Sequence, residues 1–103
     1  MITDRIMALN SLQQQDWAEA ALLHRINPDK NERRFYFVSI GPALFDPYAV
    51  IRMWGRIGGY QRMLVTPCQT SLEARKLATK LVQRRLSRGY RLIQGAALTD
   101  DPP

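Results

Sequence analysis

The chain has few residues of the kinds that build disulfide frameworks, metal sites or membrane spans. Its 103 residues include one cysteine, Cys68, and one histidine, His24. A single cysteine excludes an internal disulfide and is typical of a reducing cytoplasm, and zinc sites of the cysteine–histidine kind are excluded by count. No apolar run approaches the length of a membrane helix, and the N-terminus lacks the pattern of a signal peptide. We therefore expect one small, soluble, cytoplasmic domain without membrane association, metal or cofactor.

Acidic residues are almost absent from the second half of the chain. Between Tyr48 and Gly95, ten basic residues stand against one acidic residue, Glu73, which leaves +9 in this segment, −3 in the remainder and +6 overall. Arginine supplies 12 of the 15 positive charges, and its planar guanidinium suits phosphate better than the point charge of lysine does. Such asymmetry is typical of a protein that binds an anionic partner on one side, but a basic surface also serves solubility alone.

Residues that could perform catalysis are equally scarce. His24 lies within an aliphatic segment, which favours a packed strand residue over a base or a ligand. Cys68 has no second histidine with which to form a thiol–imidazole pair. The carboxylates show no suggestive spacing, and Gly58-Gly59 is too short for a phosphate-binding loop, so a turn is expected there. These observations predict a protein without enzymatic activity.

Turn-forming residues divide the chain into β-prone segments. Strands are predicted over residues 18–26, 33–40, 48–57 and 61–66, the last of them stopped by Pro67, with a further short strand over residues 90–94. Residues 1–16 are predicted to form a loose helix or to be disordered, residues 17–95 to form the domain, and residues 96–103 to be a flexible tail.

One helix stands out in the pattern. Thr70 and Glu73 have the spacing of a capping box, and Gly89 supplies the C-terminal stop. The arginines of the last turn are explained in part by the helix dipole. The predicted fold class is therefore α+β, a single antiparallel sheet of four to five strands with one long helix on one face. Apolar residues recur at helical spacing and would cover the sheet: Ala74, Leu77, Ala78, Leu81, Val82 and Leu86.

The stretch "RMWGRIGG" (residues 52–59) places a tryptophan between two arginines on one face of the third strand. We expect the other face, with Ile51 and Met53, to meet the helix, so that Trp54 lies on the outer face of the sheet. An exposed ring between cations can stack on a sugar or base while the cations bind phosphates. Alternatively, the ring packs under the arginine stems or the N-terminal segment.

Residues from about Ala20 to Leu92 resemble a WGR domain, a family named for the tripeptide that is here Trp54-Gly55-Arg56. The similarity includes a strand after the tripeptide, a basic helix with an aliphatic stripe, and the closing element "SRGYR". Members of the family are described as antiparallel sheets with one helix. They occur in DNA-dependent poly(ADP-ribose) polymerases, where they contact DNA breaks and neighbouring domains, and as short stand-alone bacterial proteins.

The resemblance implies that Trp54 packs on the sugar or base at a duplex end. It also implies that Arg56 contacts phosphate or a neighbouring domain, and that Tyr90 lies beside the nucleic-acid backbone. This chain departs from many relatives in the segment "GGYQRM" after the tripeptide, and we expect no ADP-ribosyl transferase domain in it.

Together these features predict a non-catalytic module that binds nucleic acid, with duplex DNA as the expected ligand. The module would contact the DNA backbone or the duplex ends through a surface of tryptophan and arginine. The alternative is a protein-interaction module that binds an acidic protein surface, with Trp54 as the central anchor. The predicted nucleic-acid-binding residues are Trp54, Gly55, Arg56, Arg52, Arg62, Tyr90, Arg88 and Arg91.

Overall fold

The computed structural model describes residues 19–43 and 45–95, which form one sheet and one long helix. A short 3₁₀ turn, Pro28–Lys30, connects the first two strands. The segments predicted for residues 1–16 and 96–103 lie outside the described residues. The elements are β1 (Ala20–Asn27), β2 (Glu32–Gly41), β3 (Tyr48–Arg56), β4 (Gln61–Cys68), α1 (Ser71–Ser87) and β5 (Arg91–Gln94).

The sheet is antiparallel, with the strand order β4-β3-β2-β1-β5. The helix α1 lies on one face and contacts β2, β3 and β4, which confirms the predicted fold class. One predicted boundary is wrong, because β4 continues through Pro67 to Cys68. This strand is an edge of the sheet, where proline is tolerated because its missing N–H need not pair with a neighbouring strand.

The helix α1 begins with the predicted capping interaction. The Thr70 side chain accepts a hydrogen bond from the Glu73 N–H at 3.0 Å. The Glu73 carboxylate in turn accepts one from the Gln69 N–H at 3.2 Å, one residue earlier than in a regular capping box. Gly89 follows the helix at φ 91°, a conformation that glycine adopts at little cost. No helix among residues 19–43 and 45–95 is long and apolar enough to cross a membrane.

The hydrophobic core lies between α1 and the sheet face that carries Leu23, Val38 and Val50. The helix contributes Ala74, Ala78, Leu81 and Val82, so most of the predicted apolar stripe is buried, although Leu86 remains 38% exposed. Cys68 belongs to this core, and burial together with the Glu73 carboxylate raises the pKa of its thiol. The thiol is therefore a protonated packing group.

The face of β3 that meets the helix is the reverse of the predicted one. Val50 lies in the core and Trp54 packs against it, whereas Ile51 and Met53 point to the opposite side of the sheet. The prediction was wrong because the alternation within one strand defines two faces without specifying which one is covered. The pairing with β2 decides which face of β3 is covered. The core residues of β2 lie beside residues on the Trp54 side of β3, in the pairs Tyr36–Trp54, Val38–Arg52 and Ile40–Val50.

Candidate nucleic-acid interface

A cavity of about 330 Å³ lies on the helix-covered side of the sheet. Strands β2 and β3 supply most of its wall, and the residue before β5 completes it. Aromatic rings and guanidinium groups thus border the same space. We call it the Trp54 cavity, and the residues that line it are Arg34, Trp54, Gly55, Arg56 and Tyr90.

Trp54 is partly buried, because it packs on the core and also borders the cavity. Its ring centroid lies 6.5 Å from that of Tyr36, its cross-strand neighbour, with 37° between the ring planes. The Tyr36 ring is also 6.5 Å from the Tyr90 ring, at 71°. Trp54 thus contacts the core on the helix-covered face, where neither sequence interpretation placed it, and it also borders the cavity.

Arg85, from the last full turn of α1, stacks on this aromatic cluster. Its guanidinium carbon lies 4.4 Å from the centre of the Tyr36 ring and 5.9 Å from that of Tyr90, distances at which cation–π attraction is significant. The Tyr90 N–H also donates a hydrogen bond to the Arg85 carbonyl oxygen at 3.0 Å. The end of the helix thus holds Tyr90 in the cavity wall. The sequence indicated neither Arg85 nor Tyr36 as part of a site.

Gly55 allows the chain to fold back tightly beside Trp54. A Cβ atom at this position would overlap the carbonyl oxygen of Tyr60 and lie 3.0 Å from the Cα of Gln61. The neighbouring Arg56 N–H donates to the same Tyr60 oxygen at 3.3 Å. A glycine in the middle of the tripeptide is therefore required by the close approach of β3 and the start of β4.

Three arginines lie side by side where β1, β2 and β3 meet this end of the sheet. Arg25 is the cross-strand partner of Arg34, and Arg34 is the partner of Arg56; we call the three the arginine row. Like charges at such positions repel. Glu32 offsets part of the repulsion through ion pairs with Arg25 at 3.1 Å and with Arg34 at 3.7 Å. One carboxylate against three guanidinium groups leaves this end of the sheet positively charged.

Arg56 also holds the turn between β1 and β2. Its Nη1 donates to the carbonyl oxygen of Asn31 at 2.9 Å, and its Nη2 donates to the Oδ1 of the same residue at 3.2 Å. Asn31 follows the 3₁₀ turn in a left-handed conformation with φ 50°, which asparagine tolerates better than most residues do. These two hydrogen bonds use part of the donor capacity of a guanidinium group, which has five N–H donors in all.

The other residues predicted for the site are distributed over both faces of the sheet. Arg62 is exposed and pairs with Trp54 across β3 and β4. Arg52 lies on the same side, and its Nε is buried without a hydrogen-bond partner among the described residues. Arg88 is exposed at the C-cap of α1. Arg91 lies on the opposite face of the sheet, where it lines a second cavity of about 200 Å³.

Two members of the arginine row, Arg25 and Arg34, come from the part of the chain that carries a net negative charge. A charge count along the sequence therefore gave no signal for them. An indirect signal was available in the strand alternation. Arg25 lies two residues after Leu23, and Arg34 lies two residues before Tyr36, so each arginine is on the same face of its strand as a core residue.

This chain belongs to the WGR domain family, whose model it matches over residues 19–96. It is also 36% identical over 69 residues to the uncharacterized protein y4dW of Sinorhizobium fredii, an alignment that covers 67% of this chain and 34% of that protein. The chain thus spans about a third of the length of this bacterial relative. No solved structure shows a significant match. The WGR domain is a non-catalytic module that generally binds nucleic acid in proteins of the poly(ADP-ribose) polymerase type.

Proposed function

We propose that this chain is a non-catalytic module of the cytoplasm that binds duplex DNA at the Trp54 cavity. The observation that carries the proposal is that one cavity wall combines a partly exposed indole ring with the guanidinium groups of Arg34 and Arg56. Aromatic rings stack on sugars or bases of any sequence, and guanidinium groups pair with phosphate oxygens. Membership of the WGR family supports the same ligand.

Within this proposal the residues have different roles. Trp54 stacks on a sugar or base, and Arg34 and Arg62 contact the phosphates on either side of it. Arg56 uses two of its donors to hold Asn31 and offers the others to phosphate. Tyr90 lies beside the backbone of the bound strand. Since α1 buries one side against the sheet and directs its C-terminal end to the cavity, we expect contacts to the DNA backbone without base-specific readout.

The first test is a titration of a short duplex at several salt concentrations, followed by fluorescence anisotropy. If about four phosphates are contacted, the affinity should fall ~100-fold between about 50 and about 200 mM salt, because bound counterions are released on association. Duplexes with free and with blocked ends, titrated in parallel, separate an end preference from binding along the backbone. Absence of binding at low salt, or binding that does not depend on salt, would overturn the proposal in favour of an acidic protein partner.

A pair of neighbouring variants tests the location of the site. Arg34 lines the Trp54 cavity, whereas Arg33 is the adjacent exposed residue and points to the opposite face of the sheet, beside Ile26. Both Arg34→Gln and Arg33→Gln remove one positive charge. Only Arg34→Gln should weaken binding and lower the salt slope by about one unit, as the loss of one phosphate contact does. Equal effects of the two variants would mean that the protein attracts DNA through its net charge alone.

A further inference from the structure

The solvent-facing side of α1 carries a line of positive charges. Lys76, Lys80, Arg84 and Arg88 are all exposed and follow one another at intervals of four residues; we call them the cationic stripe. Residues four apart lie on the same side of a helix, one turn above the other, with an axial spacing of about 6 Å. The stripe therefore presents four cations along about 18 Å of helix.

The stripe does not stabilise the helix that carries it. Like charges four residues apart on a helix repel. The helix dipole favours cations only in the last turn, so it explains Arg84 and Arg88 but not Lys76 or Lys80. No described carboxylate forms an ion pair with a residue of the stripe. The carboxylate of Glu73, which lies on the same helix, accepts a hydrogen bond from the Gln69 N–H. A ligand that carries regularly spaced negative charges would relieve this repulsion.

The stripe leads to the Trp54 cavity. Its last member, Arg88, is the C-cap residue of α1, and Tyr90, two residues later, lines the cavity. The Arg85 guanidinium, in the turn between Arg84 and Arg88, lies over the Tyr36 ring next to Trp54. The stripe therefore ends at the end of α1 that borders the Trp54 cavity.

We propose that the cationic stripe is a second contact surface for nucleic acid, along which one strand of a duplex continues after it leaves the Trp54 cavity. One strand of a duplex carries one phosphate for each 3.4 Å of axis, so about 18 Å of stripe spans about five nucleotides. With the nucleotide at Trp54, the complete site covers at least about six. The inference rests on the proposed function and extends it from a point contact to a track of defined length.

Hairpin duplexes with one open end and stems of about 4 to about 12 base pairs test the length of the site. The affinity should rise with stem length and level off at about six base pairs or a few more, because a shorter stem cannot reach Lys76. An affinity that is already maximal with the shortest stem would overturn the stripe while leaving the proposed function in place. Failure of all stems to bind at low salt would instead overturn the proposed function.

A double variant tests the stripe directly. Lys76→Gln combined with Lys80→Gln should lower the affinity for the long stem ~10-fold or more and reduce the salt slope by about two units, while the shortest stem should bind nearly as before. The matched control is Lys30→Gln combined with Arg33→Gln, which removes the same charge from two exposed residues outside the stripe and the Trp54 cavity.

The unfolding temperature of the stripe variant distinguishes a loss of binding from a loss of folding. The stripe variant should unfold at a temperature no lower than that of the parent protein, because it removes a repulsion between residues four apart. Equal losses of long-stem affinity in the stripe variant and its control would refute the stripe and indicate attraction by net charge. An unchanged affinity and salt slope in the stripe variant would refute it as well.

Discussion

The helix-covered face of the sheet has two halves that are built from the same strands and differ in their chemistry. In one half Val38 and Val50 are fully buried under α1. In the other, a few residues further along the same strands, Arg34, Trp54 and Arg56 border an open cavity. The boundary follows the helix, whose apolar stripe gives way to Arg85 at the Tyr36 ring. We infer that the apolar half stabilises the fold. The arginine half is the one for which we propose ligand binding.

The largest effect is expected from a cavity in the apolar half. Leu81→Ala should lower the free energy of unfolding by about 2–5 kcal/mol, because its side chain is only 6% exposed and its removal leaves space that the core cannot fill. DNA affinity of the folded molecules should not change. Urea denaturation and anisotropy measure the two quantities. Leu86→Ala is the control on the same helix, since Leu86 is 38% exposed, and a loss as large as that of Leu81→Ala would contradict the assigned core.

An intermediate effect, divided between stability and binding, is expected at the boundary. Trp54→Ala should lower the free energy of unfolding by about 1–3 kcal/mol. This is less than the ~3–5 kcal/mol expected for a fully buried tryptophan, because the ring is only partly buried. The substitution should also weaken DNA binding by about 1–3 kcal/mol, as the loss of one stacking contact does. Trp54→Phe should retain part of both. A variant that lost stability with no change in affinity would show that Trp54 belongs to the apolar half alone.

The smallest effect is expected from the Tyr36 hydroxyl. This residue is 1% exposed, and its hydroxyl oxygen is buried without a hydrogen-bond partner among the described residues. An unpaired buried polar group is unfavourable, so Tyr36→Phe should leave the free energy of unfolding unchanged or raise it by about 1 kcal/mol, while the ring contacts with Arg85 and Trp54 remain. DNA affinity should also persist. A marked loss of stability, measured by urea denaturation, would mean that the hydroxyl forms a hydrogen bond that holds the cluster together.

Local patterns predicted the secondary structure well. The spacing of Thr70 and Glu73, the apolar stripe that includes Leu81, and the glycine that follows the helix were sufficient to locate α1. The strands β2 and β3 were recognisable because they are rich in β-branched and aromatic residues, and β1, β4 and β5 because turn formers flank them. The error at the end of β4 had a tertiary cause, since Pro67 is compatible with a strand only because β4 is an edge of the sheet.

The candidate site was predictable only in part. The tripeptide indicated Trp54, Gly55 and Arg56, and the structure brings them together with Tyr90 around one cavity. Arg25 and Arg34 were missed because their proximity to Arg56 depends on the cross-strand pairing of β1 with β2 and of β2 with β3. Likewise, the contact between Arg85 and Tyr36 exists only after the helix has packed on the sheet.

The sequence by itself determined which elements form, the excess of positive charge after Tyr48 and the family to which the chain belongs. These properties depend on residue types and on neighbours along the chain. Only the tertiary structure decided that the helix covers the Trp54 side of β3 and that Arg25 and Arg34 complete the row beside Arg56. Both outcomes depend on strand register and helix packing. Because side chains alternate between faces, a register shift of one residue would have exchanged the buried and the open side chains.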